Sequence, residues 1–106
     1  MTNEEYARLC VALVTFYREH KQDVSQAKRW LELAREKVTD KKVLLKFYQE
    51  MAQILENEGK NHQALDSYKS AMEVAKQIYQ VDDYAMYELQ IALAESCEKC
   101  DEHEQA

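Results

Sequence analysis

Apolar residues recur three and four positions apart along almost the whole chain, the period of a helix with one buried face. Tyr6, Leu9, Cys10, Leu13, Val14, Phe16 and Tyr17 form the first such stripe and predict a helix over about 3–19. Asn3 is placed to cap it, with Glu4 and Glu5 favourably set in the first turn. The polar run His20-Lys21-Gln22-Asp23 interrupts the pattern. Ala27, Trp30, Leu31, Ala34 and Val38 then predict a second helix over about 25–37, with Trp30 expected in the core.

Thr39-Asp40 breaks the period again and can cap a third helix over about 41–58. Its stripe is Val43, Leu44, Phe47, Tyr48, Met51, Ala52, Ile54 and Leu55. The clearest turn is Asn57-Glu58-Gly59-Lys60-Asn61. Gly59 suits the left-handed conformation that ends a helix, and Asn61 suits the cap of the next. A fourth helix over about 62–80 carries Ala64, Leu65, Tyr68, Ala71, Met72, Ala75, Ile78 and Tyr79. Val81-Asp82-Asp83 reads as a short connection, 83–100 as a fifth helix, and 103–106 as the beginning of a sixth.

Composition agrees with an all-α chain. The 106 residues include one Gly and no Pro, so the turn residues that a sheet needs are missing. Helices joined by such short turns lie antiparallel to their neighbours, either as a closed bundle or as an open stack of hairpins.

An internal repeat favours the stack. Tyr48, Met51, Ala52, Leu55, Gly59, Ala64, Tyr68 and Ala71 form a series of large, large, small, large, turn Gly, small, aromatic and small residues. Leu93, Ala94 and Cys97 follow Met51, Ala52 and Leu55 by 42 residues. Ala27, Leu31 and Ala34 repeat the spacing of Ala64, Tyr68 and Ala71. Cys10, Leu13, Val14 and Tyr17 match the preceding helix if the first turn holds one extra residue. The first copy has Val14 at the small position and no turn Gly, and the last has Asp101 where Gly59 would fall.

This series resembles the tetratricopeptide-repeat signature. The period is longer than the usual repeat of about 34 residues and is similar to longer-helix variants of the kinesin light chain type. The resemblance implies a single domain over 1–106, built as a short right-handed solenoid of antiparallel hairpins at about 3–38 and 41–80, with an incomplete one at 83–106. It also implies a non-enzymatic scaffold whose concave groove is lined by the first helix of each hairpin and binds a protein or peptide. Carried over residue by residue, the groove positions are Arg8, Val11, Thr15 and Arg18 on the first helix. On the third they are Lys46, Gln49, Gln53 and Asn57, and on the fifth Glu88, Ile91, Glu95 and Glu98. The Lys, Asn and Arg pattern of chaperone-binding members is absent, because Gln49, Gln53, Glu88 and Ala92 stand there instead.

Charge refines the expected partner. The formal net charge of -6 disfavours a phosphate backbone, so nucleic acid is not expected. The acidic groove positions on the fifth helix favour a basic segment in the ligand. No long apolar run predicts a membrane span. The acidic N-terminus and three cysteines, an odd number, point to reduced thiols in an intracellular, most simply cytoplasmic, setting. Cys97-x-x-Cys100-x-x-His103 has metal-ligand spacing, but one helix supplies too few ligands for a structural zinc, and Cys97 falls on a buried repeat position. No catalytic grouping, phosphate loop, cofactor motif or metal site is therefore expected. Two alternatives accompany the scaffold reading: a self-assembling helical domain that dimerises through its C-terminal hairpin, where Leu89, Leu93 and Cys97 look poorly covered, and a piece of a longer array.

Overall fold

A computed structural model describes residues 2–80 and 83–105, with side chains through Cys100. Five helices follow one another: α1 (Asn3–Glu19), α2 (Val24–Arg35), α3 (Lys41–Asn57), α4 (Asn61–Ile78) and α5 (Tyr84–Gln105). There is no strand among the described residues. No helix is long and apolar enough to cross a membrane.

Local chemistry sets the boundaries. The α1 cap is Thr2 rather than Asn3, its hydroxyl accepting from Glu5 N at 3.2 Å. Asp23 caps α2 by accepting from Gln26 N, and Asp40 caps α3 by accepting from Lys42 N and Val43 N. Such caps each contribute about 1 kcal/mol. Asn61 does not cap α4: it is the first helical residue, and Lys60 precedes it without a side-chain cap. Asp83 holds the start of α5 by accepting from Ala85 N at 3.0 Å. Val81 and Asp82 of the expected connection lie outside the described residues.

Gly59 ends α3 at φ +79°. Gly59 N donates to Glu56 O and Lys60 N to Leu55 O, so two carbonyls at the helix end are satisfied by the turn itself. The first turn achieves the same with Gln22 at φ +51°, Asp23 N donating to Tyr17 O at 2.9 Å. Tyr17 to Asp23 is one residue longer than Leu55 to Lys60. No sixth helix begins at 103, because Asp101-Glu102-His103-Glu104-Gln105 contains no breaker and continues α5.

The hairpin α3–α4 is antiparallel. Late α3 meets early α4 where Ala52, Ala64 and Tyr68 cluster, and Leu45 at the other end meets Ala71, Val74 and Ala75. Ala52, Ala64 and Ala71 are each 0% exposed, so a side chain larger than methyl at those crossings would force the helices apart. Helix α5 runs antiparallel to α4, Met86 and Leu89 sitting with Ala71–Ala75, and Ala92 and Leu93 with Ala64 and Tyr68. Helix α1 runs parallel to α3: Arg8 and Val11 face Asp40 and Val43, while Arg18 faces Glu50.

Successive helices pack on each other, and α1 and α3 also touch. No Cα of α5 comes within 8 Å of α1, α2 or α3, so the helices do not close into a bundle. The radius of gyration, 14.0 Å, correspondingly exceeds the roughly 13 Å of a compact domain of this length.

Four expected core positions turn outward. In α1 the buried residues are Ala7, Cys10, Val11 and Val14, while Leu9 and Phe16, seven apart and on one face, are exposed. In α5 the buried line is Met86, Leu89, Ser96 and Cys100, spaced in whole helical turns from the α4 contact. Cys97 and Ala94 therefore face outward, and the exposed thiol is Cys97 rather than Cys100. Leu89, expected to be poorly covered, is 2% exposed because α4 covers it. Trp30 packs half-buried against the α1–α2 core, with the Arg29 guanidinium over its ring.

Candidate functional site

Helix α3 presents one outward stripe: Lys42, Lys46, Gln49, Gln53 and Asn57, at spacings that keep all five on the same face. It is flanked by α1 on one side and by α5 on the other. Each flank holds a cleft.

The first cleft, about 410 Å³, lies between α1 and α3. Val11, Ala12 and Val43 form its floor, and Arg8, Lys42 and Lys46 stand on its rim opposite the single carboxylate of Asp40. That carboxylate is held below the usual range, chiefly by the backbone N–H of Lys42 that it accepts. Arg8 also reaches Glu4 at 3.3 Å but stays 64% exposed along its side chain.

Beside this cleft lies a buried carboxylate. Glu50 is 2% exposed, and three groups converge on it: Arg18 Nε donates to Oε2 at 2.7 Å, Thr15 Oγ1 to Oε1 at 3.0 Å, and Lys46 Nζ lies 3.4 Å from Oε1. Burial opposes the charge on Arg18, but the Glu50 carboxylate more than offsets it and raises its pKa. This network ties α1 to α3 in register, and Thr15 and Arg18 serve it before they could serve a ligand.

The second cleft, about 340 Å³, opens between α3, α4 and α5, where α3 and α5 do not touch along their backbones. Gln53, Glu56, Asn57, Tyr68, Glu95 and Lys99 line it. Lys99 Nζ bonds Glu56 across the gap, the one ion pair from α3 to α5 among the described residues. This bond raises the pKa of Lys99, with Glu95 adding to the effect. Burial raises the pKa of Tyr68 strongly, and its hydrogen bond to Glu56 adds to that, so its hydroxyl stays protonated.

The structure brings together Arg8, Val11 and Lys46 at the first cleft, and Gln53, Asn57 and Glu95 at the second. Gln49 lies half-buried on the stripe between them. Val11 is corrected from an outward position to a buried floor, because its turn of α1 faces Val43. Glu88, Ile91 and Glu98 are exposed and line neither cleft. The residues missed from sequence are Lys42, Glu50, Glu56 and Lys99. Glu50 carried a signal: Val43, Phe47, Glu50 and Ile54 share the core phase of α3, and a charge there needs buried partners.

Among the described residues no three His, Cys, Asp or Glu side chains converge as a metal site, and the side chain of His103 lies outside them. Comparisons with protein-family models, with curated proteins and with solved structures find no match to this chain.

Proposed function

We propose that the chain is a protein- or peptide-binding module, a tetratricopeptide-repeat-like stack of hairpins whose partner lies along the outward stripe of α3. The observation that carries this reading is the stripe itself: a polar face about 22 Å long by helix rise, with an open cleft on either side. Three features support it. Helices α1 and α3 run parallel, as first helices of successive hairpins do. The Lys99–Glu56 pair sets α5 in the same sense. The small residues Ala27, Ala34, Ala52, Ala64 and Ala71 all sit fully buried at the repeat's close approaches. Amide side chains such as Gln49 and Gln53 can pair with both N–H and C=O of an extended backbone. A polar, amide-lined groove of this kind suits binding rather than catalysis, and the partner is proposed to be intracellular.

The test is affinity capture from source-cell lysate with two variants. Gln49→Arg with Gln53→Arg blocks the stripe, and Lys69→Glu with Lys76→Glu changes exposed residues of α4. Partners lost with the first variant and kept with the second support the groove. Partners indifferent to the first variant refute it.

A second reading, self-association, is favoured by one observation. Tyr84, Tyr87 and Ile91 share an outward face of α5 and are 75%, 51% and 59% exposed. Aromatic residues in such a patch are common at interfaces. Light scattering at high concentration decides it: a monomer throughout removes this reading.

A further inference from the structure

We infer that the segment held along α3 is bipolar, with acidic residues at one end over the α1–α3 cleft and basic residues at the other over the α3–α5 cleft. The inference rests on the groove reading above and adds the chemistry of the partner.

Each cleft has an unbalanced charge, and the two imbalances have opposite sign. At the α1–α3 end the Glu50 carboxylate is already satisfied by Arg18 and Thr15, at 2.7 and 3.0 Å. Arg18 also pairs with Glu19 at 3.1 Å. Lys46, 3.4 Å from Glu50 Oε1, is engaged on one side only; its side chain is 53% exposed and lines the cleft, where a ligand carboxylate can share it. Lys42 makes no ion pair among the described residues, and Arg8 is paired only at its exposed tip. Among the described residues lining the cleft these three cations face one carboxylate, Asp40, whose oxygen is occupied by backbone N–H groups, while Glu4 holds Arg8 from outside the cleft and leaves Lys42 and Lys46 as the cations most open to a ligand.

At the α3–α5 end the arrangement is reversed. Among the described residues Lys99 is the only cation lining the cleft, and it faces two carboxylates, Glu56 and Glu95. It bonds Glu56, which Tyr68 also engages, so Glu95 is the surplus anion. A uniformly basic ligand would meet Arg8, Lys42 and Lys46, and a uniformly acidic one would meet Glu95. Only a segment with both signs in separate blocks satisfies the whole stripe, and like-charge juxtaposition excludes the others.

Geometry sets the spacing. The α3 residues of the two clefts, Lys42–Lys46 and Gln53–Asn57, are centred about eleven residues apart, roughly 16 Å at helical rise. An extended strand crosses that distance in about five residues. The floor of Val11, Ala12 and Val43 adds a seat for one aliphatic side chain next to the acidic block.

The experiment selects a random nonapeptide display library on the immobilised full chain, on Arg8→Glu with Lys42→Glu, on Glu95→Lys and on Gln53→Arg. The substituted side chains are exposed, and circular dichroism checks that each variant remains helical. The wild type should enrich peptides with Asp or Glu at one end and Lys or Arg about five residues away. Resynthesised peptides should lose tenfold or more in affinity on each charge-reversed variant. The first variant should drop only the acidic preference and the second only the basic one. Enrichment of peptides of a single sign, with capture abolished by Gln53→Arg, overturns the bipolar inference and leaves the groove standing. No enrichment, or enrichment indifferent to Gln53→Arg, overturns both.

Discussion

Arg18 Nε donates to Glu50 Oε2 at 2.7 Å, joining the last turn of α1 to the middle of α3 where neither side chain is more than 12% exposed. A pair this buried is far more sensitive to losing one member than to losing both, since the survivor keeps its desolvation cost without compensation. Arg18→Ala should lower stability by about 3–5 kcal/mol in urea denaturation. Arg18→Met combined with Glu50→Leu should recover most of that loss. If the double variant is as unstable as the single one, the pair is not the source of the effect.

The two left-handed turn residues predict effects of opposite sign. At Gly59 a Cβ would meet nothing within 4 Å, so the cost of Gly59→Ala is backbone strain alone, about 1–2 kcal/mol. Gln22 already bears that strain at φ +51°. Gln22→Gly relieves it and should raise the melting temperature, whereas Gly59→Ala should lower it by several degrees.

Tyr68 predicts alkaline sensitivity. Its folded pKa is raised above the ordinary 10.0, first by burial and then by Glu56. A raised folded pKa gives stability that is complete below the unfolded value and is lost as pH climbs above it. Stability should therefore fall above about pH 10. Tyr68→Phe should flatten that fall, leaving the smaller share from Lys99, whose raised pKa acts in the same direction. Urea midpoints measured across the alkaline range check this, and an unchanged slope in Tyr68→Phe would count against it.

The thiols should separate by burial. Cys10 is 1% and Cys100 is 4% exposed, while Cys97 lies on the open face of α5. Burial also raises the pKa of Cys10, which lowers its thiolate fraction. Under native conditions an aromatic disulfide reagent should titrate one thiol quickly, and Cys97→Ser should remove that phase.

The first five helices and their order were legible because the 3.6-residue period of apolar side chains is a direct record of burial, and Asp23, Asp40 and Gly59 mark where it stops; the expected sixth was not, because the polar run after Cys100 continues α5. The small residues were legible too: Ala52, Ala64 and Ala71 stand in a spacing that only close helix crossings explain. Facing direction was harder to read. Leu9 and Phe16 share a period with the true α1 core but lie on its edge, and which edge is covered depends on where α2 and α3 sit. The same ambiguity exchanged Cys97 for Cys100, because α5 has one packed neighbour instead of two. At the site, Gln53, Asn57 and Glu95 were nominated by the family resemblance, but the tie between Arg18 and Glu50 joins residues 32 apart and emerges only when α1 and α3 are brought into register.

Helix α5 rests on α4 alone along its backbone, with Lys99 as its side-chain strut to α3. Its amide protons should accordingly escape to solvent through an opening that leaves the other four helices folded, so that native-state hydrogen exchange divides the molecule into an early-exchanging C-terminal unit and a late-exchanging remainder. Because Glu95 and Lys99 travel with that unit, one wall of the α3–α5 cleft is also the least firmly held part of the chain, and a ligand that spans the cleft would slow exchange in α5 more than anywhere else.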